Sequence, residues 1–416
     1  MRPASRVSRP VKIPPMTDSY FRKGFGLKGT IGPQLTADYA SRLVDLVRER
    51  DYTLEVGPLT FRLAREFGFC YGVDRAVEYA YEARTKFPEK RLFLVGEIIH
   101  NPHVNARLRE MGISFLRHGP DGEFDFSSIT TDDVVILPAF GVTIHDFQRL
   151  RAIGCVVVDT TCGSVLNVWK RVESYAKDGY TAIIHGKYWH EETRATASQV
   201  MKYPEGRFLV VLNMDEAKLV MDFVENGGDP APLAERFAKA TSPGFDFTRH
   251  LDRVGFANQT TMLAGESLAI AAEFREAVAR RCGAEVAAER VRSFDTICSA
   301  TQERQDAVLK LLQDPPDLML VVGGYNSSNT THLAALAVSH GIRTYHIEDA
   351  TGIDSEAGTI RHQPVKQKRD VVEGDWLGKA RVIGITAGAS TPNNKIGETI
   401  ARVAATAGVS IDAILR

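Results

Sequence analysis

Three of the five cysteines in this 416-residue chain stand where a thiol can do chemistry. Cys70, Cys162 and Cys298 each follow an apolar stretch and precede a helical pattern. The positive end of a helix dipole stabilises a thiolate, and thiolates are ligands of both zinc and iron–sulfur centres. Cys155 and Cys282 lie elsewhere, in an apolar run and at a predicted helix end. The first three cysteines are therefore a candidate ligand set, and their spacing leaves zinc and iron both open.

Polar loops follow the helices of these three cysteines at nearly the same distance. Hydroxyls, amides and the N–H groups of helix N-termini together make a good anion site. Such loops indicate a phosphate or diphosphate ligand held by many hydrogen bonds. A carboxylate beside a metal can in addition deliver protons. The candidate residues are His100, Asn101, His190, Glu191, Glu192, Thr193, Thr196, Asn258, Gln259, Thr260, Thr261, Asn326, Ser327, Ser328, Asn329, Ser390 and Thr391.

The repeat of cysteine, helix, strand and polar loop also predicts the fold. Strands that alternate with helices indicate parallel sheets, which bind ligands beyond the carboxyl ends of their strands. We predict an α/β protein with three similar domains and mostly parallel sheets around a common centre. An N-terminal extension over 1–60, partly disordered and then helical from residue 37 to 66, precedes domains over 61–158, 159–293 and 294–416.

Composition narrows the classes of function. A net charge of −1 argues against a broad nucleic-acid or membrane-surface footprint. No apolar stretch approaches the roughly 18 residues that would suggest a membrane span. Scattered cysteines favour a reducing compartment, so we expect a cytoplasmic protein. Because the first fifteen residues are basic, a plastid leader is the alternative. Residues 349–380 are polar and are expected to form a surface excursion.

Two familiar motifs are missing from the sequence. The HExxH pattern of zinc proteases fails because Arg194 stands where its second histidine would be. No GxGxxG or phosphate-loop pattern is present either, so nucleotide binding is disfavoured and electrons for any redox chemistry would come from another protein.

The motifs taken together resemble those of 4-hydroxy-3-methylbut-2-enyl diphosphate reductases. The resemblance covers about residues 60 to 405, and FRKG near residue 21 is similar to the longer plant and cyanobacterial branch. The matching stretches are GFCYGVDRAV, EIIHNPHVNARLREMG, VVDTTCGSVLNVW, HGKYWHEETRATASQ, ANQTTM, DTICSATQERQDAV, VVGGYNSSNTTHL and TAGASTP.

The resemblance implies an enzyme that reductively dehydroxylates an allylic diphosphate to isopentenyl and dimethylallyl diphosphate, the last step of the methylerythritol phosphate pathway. It implies a [4Fe-4S] cluster on Cys70, Cys162 and Cys298, whose fourth iron binds the substrate hydroxyl, at the centre of a pseudo-threefold trefoil. Electrons would come from a carrier such as ferredoxin or flavodoxin. Glu192 would deliver protons, with Thr260 beside it. The implied substrate-binding residues are His100, His190, Thr260, Ser327, Ser328, Asn329 and Ser390.

One position departs from the commoner bacterial pattern of that family. The family often has a diphosphate-contacting histidine where this chain has Phe140, which puts that contact in doubt. The plant-like branch is similar in having phenylalanine there, so the departure is expected to leave activity intact.

Two other interpretations stay open from the sequence. One is a non-redox, metal-containing protein that binds phosphoesters through the same loops. The other is a scaffold in which the three cysteines are structural and tolerate substitution by Ala or Ser.

Overall fold

A computed structural model of the chain describes residues 19–119, 123–294 and 296–415, apart from the side chains of residues 412 and 413. The predicted disordered arm at the start of the chain lies outside the described residues. Within these ranges, no helix is both long and apolar enough to cross a membrane.

The strands of the described residues are short and mostly buried. They are β1 Tyr20–Phe21, β2 Thr53–Val56, β3 Leu59–Leu63, β4 Leu92–Val95, β5 Ile113–Leu116, β6 Val134–Leu137, β7 Val156–Asp159, β8 Thr181–His185, β9 Phe208–Val211, β10 Val254–Asn258, β11 Val291–Ser293, β12 Leu318–Val322, β13 Thr344–Ile347, β14 Ile353–Asp354, β15 Thr359–His362, β16 Val371–Gly374 and β17 Val382–Ala387.

Helices alternate with these strands over most of the chain. They are α1 Lys28–Tyr39, α2 Arg42–Glu49, α3 Tyr71–Lys86, α4 Pro102–Glu110, α5 Ile144–Ile153, α6 Gly163–Lys177, α7 Glu191–Val200, α8 Met214–Asn226, α9 Ala231–Arg236, α10 Phe247–His250, α11 Ala264–Cys282, α12 Ala284–Arg290, α13 Ser299–Leu311, α14 Ser328–Ser339, α15 Asn393–Thr406 and α16 Asp412–Leu415, with a 3₁₀ turn at Ala350–Gly352.

The chain folds into two compact units. The first comprises the described residues up to Arg22, together with Phe93–Val95 and Leu116–Ile297. The second comprises Lys23–Leu92, Gly96–Phe115 and the residues from Cys298 onward. The boundaries of the three domains inferred from the sequence stay a prediction.

The first unit is built on parallel sheets. One sheet has the strand order β11-β10-β8-β9, with every pair parallel. In the other, β7 lies between β1 and β6 and is parallel to both. Apolar residues of α6, α8 and α11 pack on the first of these sheets, so its loops extend from a rigid core.

The second unit contains a sheet with the order β13-β12-β17-β3-β2, parallel except for the β2–β3 hairpin. A small antiparallel sheet of β14, β15 and β16 adjoins its core. The prediction of an α/β fold with mostly parallel sheets is confirmed.

The helical prediction for residues 37–66 is correct only in part. Helix α1 already contains Thr36, and a new helix, α2, starts after Ser41, whose side chain accepts the Val44 N–H at 3.3 Å. From Thr53 to Leu63 the prediction is wrong, because this segment forms the β2–β3 hairpin. Alternate residues of both strands are buried, which is the period of a strand and not of a helix.

Residues 349–380 are more than the predicted surface excursion. Ile353, Ile360 and Trp376 are each at most 2% exposed and belong to the core of the second unit. The sequence did not predict this burial, because the strands β14, β15 and β16 are only two to four residues long and polar residues separate the buried apolar ones.

Candidate functional site

Each of the three candidate ligand cysteines is the residue directly before a helix. Cys70 precedes α3, Cys162 precedes α6 and Cys298 precedes α13, and the backbone is extended at all three. All three are partly exposed. A sulfur at this position lies near the positive end of the helix dipole, which favours the thiolate. The strand-to-helix placement predicted for these cysteines is confirmed.

The other two cysteines are placed differently. Cys155 is 2% exposed, directly before β7, and its thiol donates to the Leu150 carbonyl at 3.8 Å. Burial raises the pKa of Cys155 to about 11, so it stays a neutral thiol near pH 7. Cys282 is the last residue of α11, at the negative end of its helix. Neither position favours a ligating thiolate.

In the first unit, the loop between β8 and α7 carries two of the predicted site residues. The Nδ1 of His190 accepts the Glu192 N–H at 3.2 Å and so caps α7. Glu192 is 3% exposed, and its Oε1 accepts the backbone N–H of Thr260 at 2.5 Å. The structure thus brings His190, Glu192 and Thr260 together and holds the carboxyl group in one orientation.

Gln259 connects the two loops that carry these residues. Its side chain is fully buried. The Oε1 atom accepts the Lys187 N–H and the Thr193 hydroxyl, each at 3.1 Å. Its Nε2 donates to Thr261 Oγ1 at 2.8 Å, and its backbone N–H donates to the His185 carbonyl at 2.8 Å. The sequence named Gln259 only as a loop residue, because its partners belong to another strand.

Phe140 lies in the loop after β6, where the resemblance suggested a missing histidine. Its ring packs edge-on against the imidazole of His190, with centroids 6.3 Å apart. A Cβ on the next residue, Gly141, would overlap the Trp169 ring, and its φ of +77° also favours glycine. The Trp169 Nε1 donates to Thr196 Oγ1 at 3.2 Å. This loop therefore supports His190 by packing and offers no polar side chain of its own at Phe140.

In the second unit, hydrogen bonds of the Asn329 side chain link the segment that carries Cys298 to the loop that contacts Cys70. Its Nδ2 donates to Thr301 Oγ1 at 3.5 Å, and its Oδ1 accepts the Ala389 N–H at 3.0 Å. Thr301 lies in the helical turn that begins at Cys298. The Ala389 carbonyl accepts the N–H of Cys70 at 3.2 Å. Asn329 thus connects both cysteines through one hydrogen-bonded path.

Arg304 adds a second link between the same two segments. It is 3% exposed and lies on α13. Its guanidinium donates to the carbonyl of Gly68, near Cys70, at 2.7 Å and to the carbonyl of Ala300 at 2.8 Å. Arg304 was not among the residues predicted from the sequence, because an arginine in a helical pattern is usually exposed.

The predicted anion-binding residues of the second unit lie at the start of α14. The Ser327 Oγ accepts the Thr330 N–H at 3.4 Å and the Thr330 hydroxyl at 2.9 Å. Ser328 and Asn329 are the first two residues of the helix and are at most 3% exposed. A Cβ on Gly388, in the loop after β17, would overlap Thr330. The helix start and this loop are therefore packed together, and first-turn N–H groups suit an anion.

Ser390 and His100 complete the predicted set in the second unit. Ser390 is partly exposed and precedes Thr391, whose hydroxyl donates to the Val322 carbonyl at 3.0 Å. His100 lies 3.1 Å from Glu97 Oε2 through its Nδ1 and precedes Asn101, the cap of α4. The resulting picture is a set of hydroxyls, amides and one imidazole on loops at strand ends.

Comparison with known proteins places this chain in a family. The family model described as LytB protein matches residues 61–404. A 4-hydroxy-3-methylbut-2-enyl diphosphate reductase of Thermosynechococcus vestitus is 48% identical over 395 residues, which covers 95% of this chain and 96% of that protein. One from Gloeobacter violaceus is also 48% identical over 395 residues, covering 94% of this chain and 93% of that protein.

A solved structure shows the same fold. The E-1-hydroxy-2-methyl-but-2-enyl-4-diphosphate reductase from Plasmodium falciparum matches with a TM-score of 0.60 at 20% identity, covering 82% of this chain and 86% of that one. Together with the nearly full-length relatives, the resemblance first noted in the motifs is confirmed. The chain belongs to the family of LytB proteins, the 4-hydroxy-3-methylbut-2-enyl diphosphate reductases.

Proposed function

We propose that this chain reduces 4-hydroxy-3-methylbut-2-enyl diphosphate to isopentenyl and dimethylallyl diphosphate, the last step of the methylerythritol phosphate pathway. The observation that carries the proposal is the nearly full-length match to reductases of that name. The relatives give no support to the alternative of a non-redox phosphoester-binding protein. The loop residues described above fit the substrate's two parts, an anionic diphosphate and an allylic alcohol.

The reaction consumes two electrons and two protons for each substrate. The bond between C4 and its hydroxyl oxygen breaks, and one proton converts the departing hydroxide into water. The second proton forms a new C–H bond at one end of the allyl unit, which gives one product or the other. The protein must therefore supply an electron path, a proton donor and a diphosphate site.

Cys70, Cys162 and Cys298 would hold a [4Fe-4S] cluster. Their chemistry fits, because each is a partly exposed thiol at the start of a helix, where the thiolate is favoured. When bound, such a cluster supplies electrons and a Lewis-acidic iron. Arg304 and Asn329 serve this site by fixing the segments of Cys70 and Cys298 relative to each other.

Glu192 would deliver a proton. Its Oε1 already accepts the Thr260 N–H, so in the protonated acid the proton resides on Oε2. The short bond to the backbone fixes the direction in which Oε2 points. Gln259 keeps the loops of Glu192 and Thr260 in register, and Thr260 acts here through its backbone N–H.

The diphosphate would be bound by the neutral loops. The start of α14 offers first-turn N–H groups with Ser327 and Ser328, and Ser390 lies one residue beyond the Ala389 that Asn329 binds. His190, whose Nδ1 accepts a hydrogen bond, adds an imidazole N–H donor at the start of α7, and His100 adds its imidazole at the start of α4. Binding through many N–H and O–H groups holds the anion without fixed positive charge.

Analysis of iron and sulfide tests the proposal directly. Protein purified without oxygen should be brown, contain about four irons and four acid-labile sulfides per chain, and reduce the substrate with a chemical reductant. Cys→Ser at position 70, 162 or 298 should abolish both the colour and turnover. The matched controls Cys155→Ser and Cys282→Ser should keep both. An iron-free but fully active protein would exclude the cluster.

A further inference from the structure

We propose that an arginine-rich surface of the first unit docks the acidic protein that supplies the electrons. The inference rests on the proposed reductase function, which needs an external electron source. The surface, called here the arginine–aromatic surface, consists of Arg171, Arg253, Arg275, Arg292, Tyr180 and Phe294.

Two arginines lie over the ring of Tyr180. The guanidinium carbons of Arg253 and Arg292 are each 4.1 Å from the ring centroid. The Tyr180 hydroxyl donates to the Glu289 carbonyl at 2.6 Å, which fixes the ring. Arg292 also contacts the Asp178 carboxylate at 2.5 Å. Guanidinium groups held on a ring lose less freedom when they bind a carboxylate, so this pair is preorganised for an acidic partner.

Phe294 gives the surface an exposed apolar centre. Its side chain is 47% exposed, and the guanidinium carbon of Arg171 lies 4.0 Å from its ring centroid. The inner face of the ring stacks on Tyr175, with centroids 6.5 Å apart. Arg275 donates to the Ser293 hydroxyl at 3.4 Å and so lies alongside. An aromatic ring surrounded by arginines is typical of the residues that dominate protein interfaces.

Among the described residues, the surface carries more positive than negative charge. Arg292 pairs with Asp178, and the neighbouring Arg290 pairs with Asp252 at 2.5 Å. Across the part of the chain that the structure describes, Arg171, Arg253 and Arg275 contact aromatic faces, carbonyls or a hydroxyl, and no carboxylate. On a chain with a net charge of −1, this local excess steers an acidic protein to one place.

Helix α6 connects the Arg171 side of the surface to one of the proposed cluster ligands, Cys162. Helix α6 begins directly after Cys162 and carries Arg171 and Tyr175 on one face. Arg171 lies nine positions after Cys162, a distance of about 14 Å along the helix axis. A protein docked here lies against the helix that presents a cluster ligand. A nucleic acid is disfavoured, because the chain as a whole has no basic excess.

Binding of a plant-type ferredoxin to the cluster-loaded enzyme tests the surface. The double variant Arg171→Gln/Arg253→Gln should bind ferredoxin at least about tenfold more weakly at low ionic strength, and the difference should shrink as salt is added. Turnover with ferredoxin should fall, while turnover with a small chemical reductant stays unchanged. Surface plasmon resonance without oxygen measures the binding, and it does not depend on turnover.

The matched control is Arg42→Gln/Arg48→Gln on α2 of the second unit. It removes the same charge, and Arg48 also lies over an aromatic ring, that of Phe67 at 4.9 Å. The control should bind ferredoxin like the parent protein. Equal weakening in both double variants, or unchanged binding in the first, overturns the proposal, as does tighter binding of heparin than of ferredoxin to the parent. Loss of turnover with every reductant in the parent would instead refute the reductase function and leave the binding result intact.

Discussion

The loops of the two units differ in the chemistry of their side chains. In the first unit, the segment after β8 holds an imidazole and a buried carboxyl group, those of His190 and Glu192. In the second, the loops after β12 and β17 hold the hydroxyls of Ser327, Ser328 and Ser390. Under the proposed function, Glu192 of the first set would deliver a proton and the hydroxyls of the second set would bind the anion, so the two tasks can be perturbed separately.

The two sets are nevertheless built on the same plan. In each, a buried amide joins loops from neighbouring parallel strands, Gln259 in the first unit and Asn329 in the second. Amides suit this task because one side chain both donates and accepts. Both units thus use an amide side chain as the connecting residue, and they differ in the residues around it.

The largest expected effect tests the proton-handling loops. Glu192→Gln should lower kcat by about a hundredfold or more with little change in KM, because an amide cannot deliver the proton. The fold should be kept, since the amide oxygen can still accept the Thr260 N–H. Steady-state kinetics with a chemical reductant measures the change. Glu191→Gln is the neighbouring control and should lose less than about tenfold; equal losses would contradict the assignment.

The connecting amides should differ in their contribution to stability. Gln259→Leu breaks three buried side-chain hydrogen bonds, those with the Lys187 N–H and the hydroxyls of Thr193 and Thr261, and should lower the free energy of unfolding by about 3 kcal/mol. Asn329→Leu breaks two side-chain bonds and should lower it by about 2 kcal/mol. Urea unfolding measures both changes. A loss of less than about 0.5 kcal/mol in the free energy of unfolding would show that these bonds do not stabilise the loops.

Acid should destabilise both units through one buried histidine each. Burial lowers the pKa of His185 and of His346 to about 4. Both are neutral in the folded protein, whereas the unfolded chain takes up protons below about pH 6.5. The free energy of unfolding should therefore fall between pH 6.5 and 4, by up to about 1.4 kcal/mol per pH unit for each histidine.

The tryptophans separate these two contributions. Of the three tryptophans, Trp169 and Trp189 belong to the first unit and Trp376 to the second. In a background that keeps only Trp169, His185→Gln should reduce the pH slope of the fluorescence change; in one that keeps only Trp376, His346→Gln should do so. Slopes that are unchanged in both variants would mean that other groups control acid unfolding.

The smallest effect tests the anion-binding loops. Ser327→Ala removes the cap of α14 and should cost about 1 kcal/mol of stability. It should also raise KM severalfold and leave kcat nearly unchanged, because the diphosphate is bound in the ground and transition states alike. Ser41→Ala removes a similar cap from α2 and should cost the same stability without changing KM. A KM change in both variants would point to a general loss of structure.

The sequence predicted the helix starts well, because caps and strand ends are local signals. Cys70, Cys162, His190 and Ser327 all lie at the predicted strand-to-helix turns. The same reasoning failed over Thr53–Leu63, where the helical interpretation ran past a Gly–Pro turn and an alternating pattern.

The connections within the site were out of reach of sequence reasoning. Arg304 and Gly68 are 236 positions apart, and Gln259 meets Thr193 across 66. Such contacts depend on which strands become neighbours in a sheet. Strand order cannot be read from local composition or from hydrophobic periodicity. The roles of Arg304 and Gln259 could therefore be recognised only in the folded chain.

The position of the cysteines at helix starts also bears on how the enzyme matures. Helix α3 buries Val73, Ala76 and Ala80, and α6 likewise buries Val168 and Val172. These helices are thus stabilised by apolar packing rather than by metal, in contrast to zinc fingers that are unfolded without their ion. The newly made polypeptide would present its thiols on an already folded scaffold, so insertion of the proposed cluster would be a late step that takes place on folded protein.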